Sequence, residues 1–284
     1  MKNLVLLTSK KMDATKWQTY CNKFDLGLYH QFEYLNAVTK ENWKALIWGD
    51  YAFCLPVFIK KKYGFISYVS MPPFCQQFET NHIPNNVWEA MITYLMQSNV
   101  IIDLRHSTIS RNCCQIKTNY LLDKGNLTYE NLFSNYSSRL QRNLSKPDRP
   151  TVETGNIDIA SPFFKALPLF KELVLQKYQM AFEAISRLHN FQVLIARDRS
   201  SNQIVGALGY LVFRNTAYII FPYQSEIGKK QNAMTCLIDH IIRDSSINKI
   251  DFEGSSVDSI AQYYAQFGAE PMPYSSYKYR IWSW

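Results

Sequence analysis

The stretch "KIDFEGSSVDSIAQYYAQFGAEP", Lys249 to Pro271, opens on a pattern met earlier in the chain. "IIDLRHS", Ile101 to Ser107, carries the same isoleucine, aspartate and closing serine, so Asp103 and Asp251, like Ser107 and Ser255, stand 148 residues apart. The copies differ in what precedes the serine: Arg105-His106 in one, Glu253-Gly254 in the other. A single short match can be chance, so the flanks decide. "KALIWGD" (Lys44–Asp50) falls on "QVLIARD" (Gln192–Asp198) at the same offset, bringing Leu46, Ile47 and Asp50 onto Leu194, Ile195 and Asp198. Two separate anchors at one spacing argue for a duplication.

The segments between the anchors run parallel as well. In the first half "KALIW", "YAFCLPVFIKKK" and "YGFISYVSMPP" read as three antiparallel strands. A helix over about 86–97 follows, with Trp88, Met91, Ile92 and Leu95 on one face, and then a strand ending in Arg105-His106. In the second half "FQVLIARD", "QIVGALGYLVF" and "TAYIIFPYQ" are three strands, followed by a helix over about 231–244 with Met234, Leu237, Ile238, Ile241 and Ile242 as its stripe. "GALG", Gly206 to Gly209, falls inside a strand and reads as a packing or bulge feature. Each half also opens with helices. Asp13 is placed to cap the first, and Ser161-Pro162 to start a long one over about 162–186. The polar segment 122–150 holds the junction, which divides the chain into 1–125 and 126–284. The fold class is α/β (α+β), each domain a mixed, mostly antiparallel central sheet flanked by helices.

The order helices, three antiparallel strands, helix, strand resembles the GNAT acyltransferase fold. Two copies in tandem resemble the Fem-type aminoacyl transferases of cell-wall synthesis. Three local stretches carry the likeness. "RLQRNLSKP" (Arg139–Pro147) is similar to the arginine-rich opening of the second domain in that group. "DFEGS" with "IAQYYAQFGAEP" resembles its last central strand and following helix, and "MPPFCQQF" (Met71–Phe78) a segment of related chains. The resemblance implies a cytoplasmic acyl or aminoacyl transferase acting on an amine acceptor. Its donor would be acyl-CoA or aminoacyl-tRNA, with no covalently bound cofactor.

In such a fold the donor lies where the fourth and fifth strands part, its phosphates at a helix N-terminus. Here that place is occupied by Gln224, Ser225, Gly228, Lys229, Lys230, Gln231 and Asn232, after a strand that Pro222 is expected to interrupt. The loop has one glycine where the GNAT pyrophosphate signature wants two small residues, which points to a tRNA donor or to a silent binding module that kept the fold. The matching first-half loop has no lysine. Glu253, at the end of a central strand, is the candidate catalytic base; otherwise it is an ordinary strand-end carboxylate. Asp251, expected on the same face as Glu253, is either catalytic or structural, and its twin Asp103 favours structure. Arg139, Arg142 and Lys146, spaced i, i+3, i+7, would share a helix face and hold phosphates, or form a solvated face; Arg149 extends the cluster. Tyr223 and Lys278 complete the candidate substrate residues. In the last strand Tyr277, Tyr279 and Ile281 read as core packing.

Composition agrees with this and excludes other classes. The chain has 284 residues and a net charge of +8, from 31 basic and 23 acidic side chains, which suits an anionic partner. Six cysteines, at 21, 54, 75, 113, 114 and 236, form no C-x-x-C pair and read as reduced thiols. Five histidines show no zinc-enzyme spacing, and no Walker loop, dinucleotide loop or nucleophile elbow occurs, so no metal is expected. No apolar run reaches 18 residues, and the opening "MKNLVLLTSKK" is too short in apolar residues for a signal core.

Overall fold

The structure, a computed structural model, describes residues 3–108, 115–167, 175–254 and 257–281. Cys113, Cys114 and Ser255 lie outside the described residues. Contacts gather the chain into two compact units. The first holds residues 1–117, 180–185 and 273–284, and the second holds 118–179 and 186–272.

In the first unit β1 (Leu4–Thr8) leads to α1 (Ala14–Lys23), α2 (Phe32–Thr39) and the strands β2 (Lys44–Trp48), β3 (Phe53–Lys62) and β4 (Ile66–Ser70). Then come α3 (Asn85–Ser98) and β5 (Ile101–His106). Asp13 caps α1 as its sequence suggests, its carboxylate accepting the Thr15 and Lys16 N–H groups at 3.0 Å each. α3 buries Met91, Ile92 and Leu95 as their spacing suggests, but the fourth buried residue is Val87, while Trp88 is only half-buried. Trp17 and Trp43 meet edge-on at 5.1 Å in the core, and the Trp17 indole N–H donates to the His30 carbonyl at 2.8 Å.

The second unit contains β6 (Gln115–Asp123) from Thr118 onward. It continues with α4 (Tyr129–Ser134), α5 (Ser138–Leu144), β7 (Thr151–Thr154), α6 (Ile157–Lys165) and α7 (Leu175–Ile185), the last of which belongs from Met180 onward to the first unit. Then follow β8 (Phe191–Arg197), β9 (Ile204–Phe213), β10 (Thr216–Gln224), α8 (Glu226–Lys230), α9 (Ala233–Arg243), β11 (Lys249–Asp251) and α10 (Asp258–Ala265). The last strand, β12 (Glu270–Arg280), belongs from Pro273 onward to the first unit. α9 is the spine of the second core: Met234, Leu237, Ile238, Ile241 and Ile242 are all buried against Leu194, Leu208 and Ile250. In β9 a Cβ on Gly209 would stand 2.9 Å from the Phe191 ring and 3.2 Å from Phe221, so the glycine is there for close packing.

The strands of the two units follow one plan. The first runs β1-β2-β3-β4-β5-β12 and the second β7-β8-β9-β10-β11-β6. In both, the fourth and fifth strands are parallel and the remaining pairs named here antiparallel. The register repeats too. Tyr68 pairs with Ile101 and Thr216 with Lys249, both partners displaced by the same 148 residues. The second strand of each hairpin is the exception. Lys44 pairs with Val57, whereas Gln192 pairs with Tyr210, so β9 stands 153 residues beyond β3. Loop length has moved from one side of that strand to the other while the seam stayed fixed. The duplication therefore survives at the level of hydrogen-bond register.

Three local expectations are corrected. Asn156, not Ser161, caps α6, accepting the Ile159 N–H at 3.0 Å, and Pro162 lies inside that helix. "EIGKK" is a short helix rather than a loop. Ile281 is 47% exposed and does not join a core. Cys21, Cys54, Cys75 and Cys236 are buried thiols outside any disulfide. No described helix is long and apolar enough to cross a membrane.

Candidate functional site

Where β10 and β11 part, the second sheet opens. Their parallel pairing covers Thr216–Tyr218 against Lys249–Asp251 and stops there, while β10 continues to Gln224. A register shift in the β9–β10 ladder between Ile219 and Phe221 marks the point of divergence. Pro222 does not interrupt β10: it stays in the ladder opposite Leu208. Its missing N–H costs nothing on the other edge, because β11 has already ended.

Beyond Asp251 the chain turns through two residues with positive φ, Glu253 at 61° and Gly254 at 66°. Glycine adopts this region freely, but a glutamate held there is a strained residue that its surroundings must fix. Asp251 does so. Its Oδ1 accepts the Glu253 N–H at 2.8 Å, and both its oxygens accept from Asn119 Nδ2, at 3.0 and 3.1 Å. Asn119 is held in turn by accepting the Tyr120 N–H at 2.8 Å. The Asp251 carboxylate is thus buried and engaged by amides. Phe252, between the two acids, is buried and stacks on Tyr264 at 4.6 Å. Burial pushes the Glu253 carboxyl well above the usual carboxylate range. The neighbouring Tyr264 phenol is pushed up to about 12, by burial and then by the charges of Glu253 and Asp251. A desolvated carboxyl on a fixed backbone is, once ionised, a stronger proton acceptor than one in water.

The segment after β10 is built differently from the expected anion loop. Ser225 caps α8: its Oγ accepts the Gly228 N–H at 3.0 Å and donates to the Val205 carbonyl at 3.3 Å. Gly228 is buried, and a Cβ there would lie 2.0 Å from the Val205 oxygen, so its smallness serves packing. Lys229 pairs with Glu226 at 2.6 Å, and Lys230 is exposed. Gln231 donates to the Asp198 carboxylate, and the Asn232 side-chain Oδ1 accepts from Asn143 Nδ2 at 3.0 Å. Gln224 pairs with Gly206 in the sheet, and the Tyr223 ring lies 5.2 Å from Phe163.

Arg139 and Arg142 are exposed on α5, whose other face buries Leu140 and Leu144. α5 ends at Leu144, so Lys146 is exposed beyond it and does not share a helix face with the arginines. In the first unit, Lys278 on β12 pairs across the ladder with Asp103 on β5. Asp103 and Arg105, two residues apart, face the same side, and Arg105 donates to the Cys75 carbonyl at 3.1 Å. Burial pushes the Lys117 ammonium down, and the charges of Arg105 and Lys278 add to this while Asp103 opposes it. The sequence hinted at this cluster only through the alternation of Asp103 and Arg105; Lys117 was hidden, because strand pairing alone brings it close. Among the described residues no group of three or more His, Cys, Asp or Glu side chains is placed to hold a metal.

The sequence matches no family model and no curated protein. Solved structures do share the fold. FemX, with 7% identity, aligns over 98% of this chain and 97% of its own at a TM-score of 0.64. L-PGS from Bacillus licheniformis aligns over 94% and 91% at 0.54, with 9% identity. A tandem GNAT protein from the clavulanic acid biosynthesis pathway aligns over 97% of each chain at 0.52, with 8% identity. At these identities the likeness is one of fold: a tandem GNAT-like architecture spanning nearly the whole chain.

Proposed function

We propose that this chain, with its tandem GNAT-like fold, is an acyl or aminoacyl transferase that moves an activated acyl group from an anionic donor to an amine. The observation that carries the reading is Glu253: a carboxyl of raised pKa, fixed by Asp251 through a strained turn, at the place where β10 and β11 part. An amine attacks the carbonyl carbon of the donor's ester or thioester only as its nitrogen sheds a proton. Glu253 in its ionised form accepts that proton, and the donor's alcohol or thiol leaves. Asp251 is a positioning residue, since its carboxylate holds the turn and the Asn119 amide.

Among anionic donors an aminoacyl-tRNA is favoured over acyl-CoA. The N–H of Gly228, which a pyrophosphate would need, is already taken by Ser225, and Lys229 is paired with Glu226. The same two observations favour a second reading, a silent module of this fold. Transfer of a labelled acyl group from charged tRNA or acetyl-CoA to a panel of amines separates the two. The expected outcome is transfer by the wild-type chain and a fall in kcat of about 10²–10⁴-fold in Glu253→Gln. Turnover unaffected by that change would remove Glu253 from the chemistry, and no transfer with any donor would leave the silent module.

A further inference from the structure

The second unit contains a basic pocket apart from the Glu253 turn. It encloses about 260 Å³ and is lined chiefly by Arg149, Arg199, Cys236, Asp239, His240 and Arg243. These residues come from the approach to β7, the β8–β9 turn and one side of α9 from Cys236 to Arg243. The anion position expected from sequence lies at the opposite end of α9, and from Asn232 to Asp239 the helix rises roughly 10 Å.

Two of the three guanidinium groups, those of Arg149 and Arg199, are held by backbone carbonyls. Arg149 donates through Nη1 to the Leu144 carbonyl, and Arg199 through Nε to the Arg149 carbonyl at 2.9 Å. Carbonyls fix orientation but carry no net charge. The pocket's acid, Asp239, is buried and committed: Oδ2 accepts from Arg243 Nε at 2.8 Å, and Oδ1 from the Tyr129 and Tyr136 hydroxyls at 2.9 and 3.2 Å. Arg243 also lies over the Tyr129 ring, 4.2 Å from its centre. Three guanidiniums therefore face one carboxylate, leaving an excess of two positive charges before His240 is counted. Their fields converge: burial pushes the Cys236 thiol up to about 11 and the Asp239 charge adds to this, while Arg149, Arg243 and Arg199 all pull it down. Helix C-termini repel anions, but the excess arginines outweigh that half charge.

We propose that this pocket binds a phosphate group carried by a small ligand. Arginine presents a planar fork of donors that matches phosphate oxygens, and arginines pinned by carbonyls lose little freedom on binding. The volume falls just below the roughly 300–1,000 Å³ of sites for drug-sized ligands, which suits a diphosphate or a small phosphate ester. The inference stands whether or not the chain transfers acyl groups.

The test is calorimetric titration of the full chain with pyrophosphate, AMP and glycerol 3-phosphate, at an ionic strength held constant with chloride. Saturable binding of at least one is expected, and the ranking of the three identifies the source of the phosphate. Arg199 and His240 are exposed, so both can be changed without opening the core. Arg199→Gln should weaken binding at least about tenfold and His240→Glu should abolish it, each keeping the wild-type melting temperature without ligand. Lys61→Gln, an exposed charge change in β3 of the first unit, should bind as wild type does. The proposal is overturned if none of the three probes binds saturably, or if Lys61→Gln weakens binding as much as Arg199→Gln. It is equally overturned if only a short single-stranded RNA binds and pyrophosphate does not displace it.

Discussion

Glu253 is held in a backbone conformation that glutamate disfavours, and burial favours its protonated form. Both facts carry a stability cost that ordinary packing would not select. The sign of the pH effect follows from linkage. Unfolded, the carboxyl titrates near 4.3; folded, it holds its proton to higher pH. Between those two pKa values the native state binds more protons than the unfolded one, so this group's contribution to stability falls as pH rises. Glu253→Gln keeps the shape and removes the titration. Its melting temperature relative to wild type should therefore rise from pH 4 to pH 8. A constant difference across that range would mean the carboxyl is not buried as described. The opening motif illustrates what sequence could supply at this scale. The recurrence of Asp103 and Asp251 marked equivalent strand positions, and the register of β5 and β11 bears that out. It could not reveal that Asp251 is buried on an asparagine 132 residues away, because nothing local distinguishes such an aspartate.

Long periodic elements were legible and short ones were not. α3 and α9 declared themselves through apolar stripes, and the strands of both hairpins through composition. α8 escaped because five residues show no period and because Gly228 and two lysines look like a loop. The edge strands β1 and β7 escaped because they are short and partly exposed. Lys146 was assigned to a helix that ends two residues earlier, at Leu144. The glycine of α8 is open to test. Against the Val205 oxygen, 2.0 Å from the would-be Cβ, Gly228→Ala must displace either the helix or β9, and backbone yields at a cost of about 1–3 kcal/mol. Lys229→Ala breaks only an exposed ion pair and should cost about 0.5 kcal/mol or less. Urea titration of the two variants would show this ranking. The reverse ranking would mean that the segment is not packed as a helix and that an anion loop should be reconsidered.

At the scale of the whole molecule the duplication has one feature that no offset could disclose. Each unit's fifth strand is flanked by an antiparallel strand: β6 beside β11 in the second, but β12, from the far end of the chain, beside β5 in the first. A strand's own sequence is indifferent to which copy it completes, since both present the same edge. The consequence is that the first unit is unfinished until the last residues arrive. Six residues of β12, Ser275 to Arg280, pair with Arg280 on Ile101 at one end and Ser275 on His106 at the other, and Tyr274, Ser275 and Ser276 are buried. The cluster of buried residues around α9 in the second unit, by contrast, runs from Leu122 to Ala269. A chain ended after Met272 should therefore lose protection selectively. Hydrogen exchange should accelerate across β4 and β5 by several orders of magnitude, because an edge carrying buried Ile102 and Leu104 is opened to water. The amides of β9 and β10 should keep theirs, since their ladders to β8 and β11 remain intact. Equal loss in both units would mean that the ladders of β9 and β10 also depend on β12, and unchanged protection of β5 would mean that the strand is dispensable there.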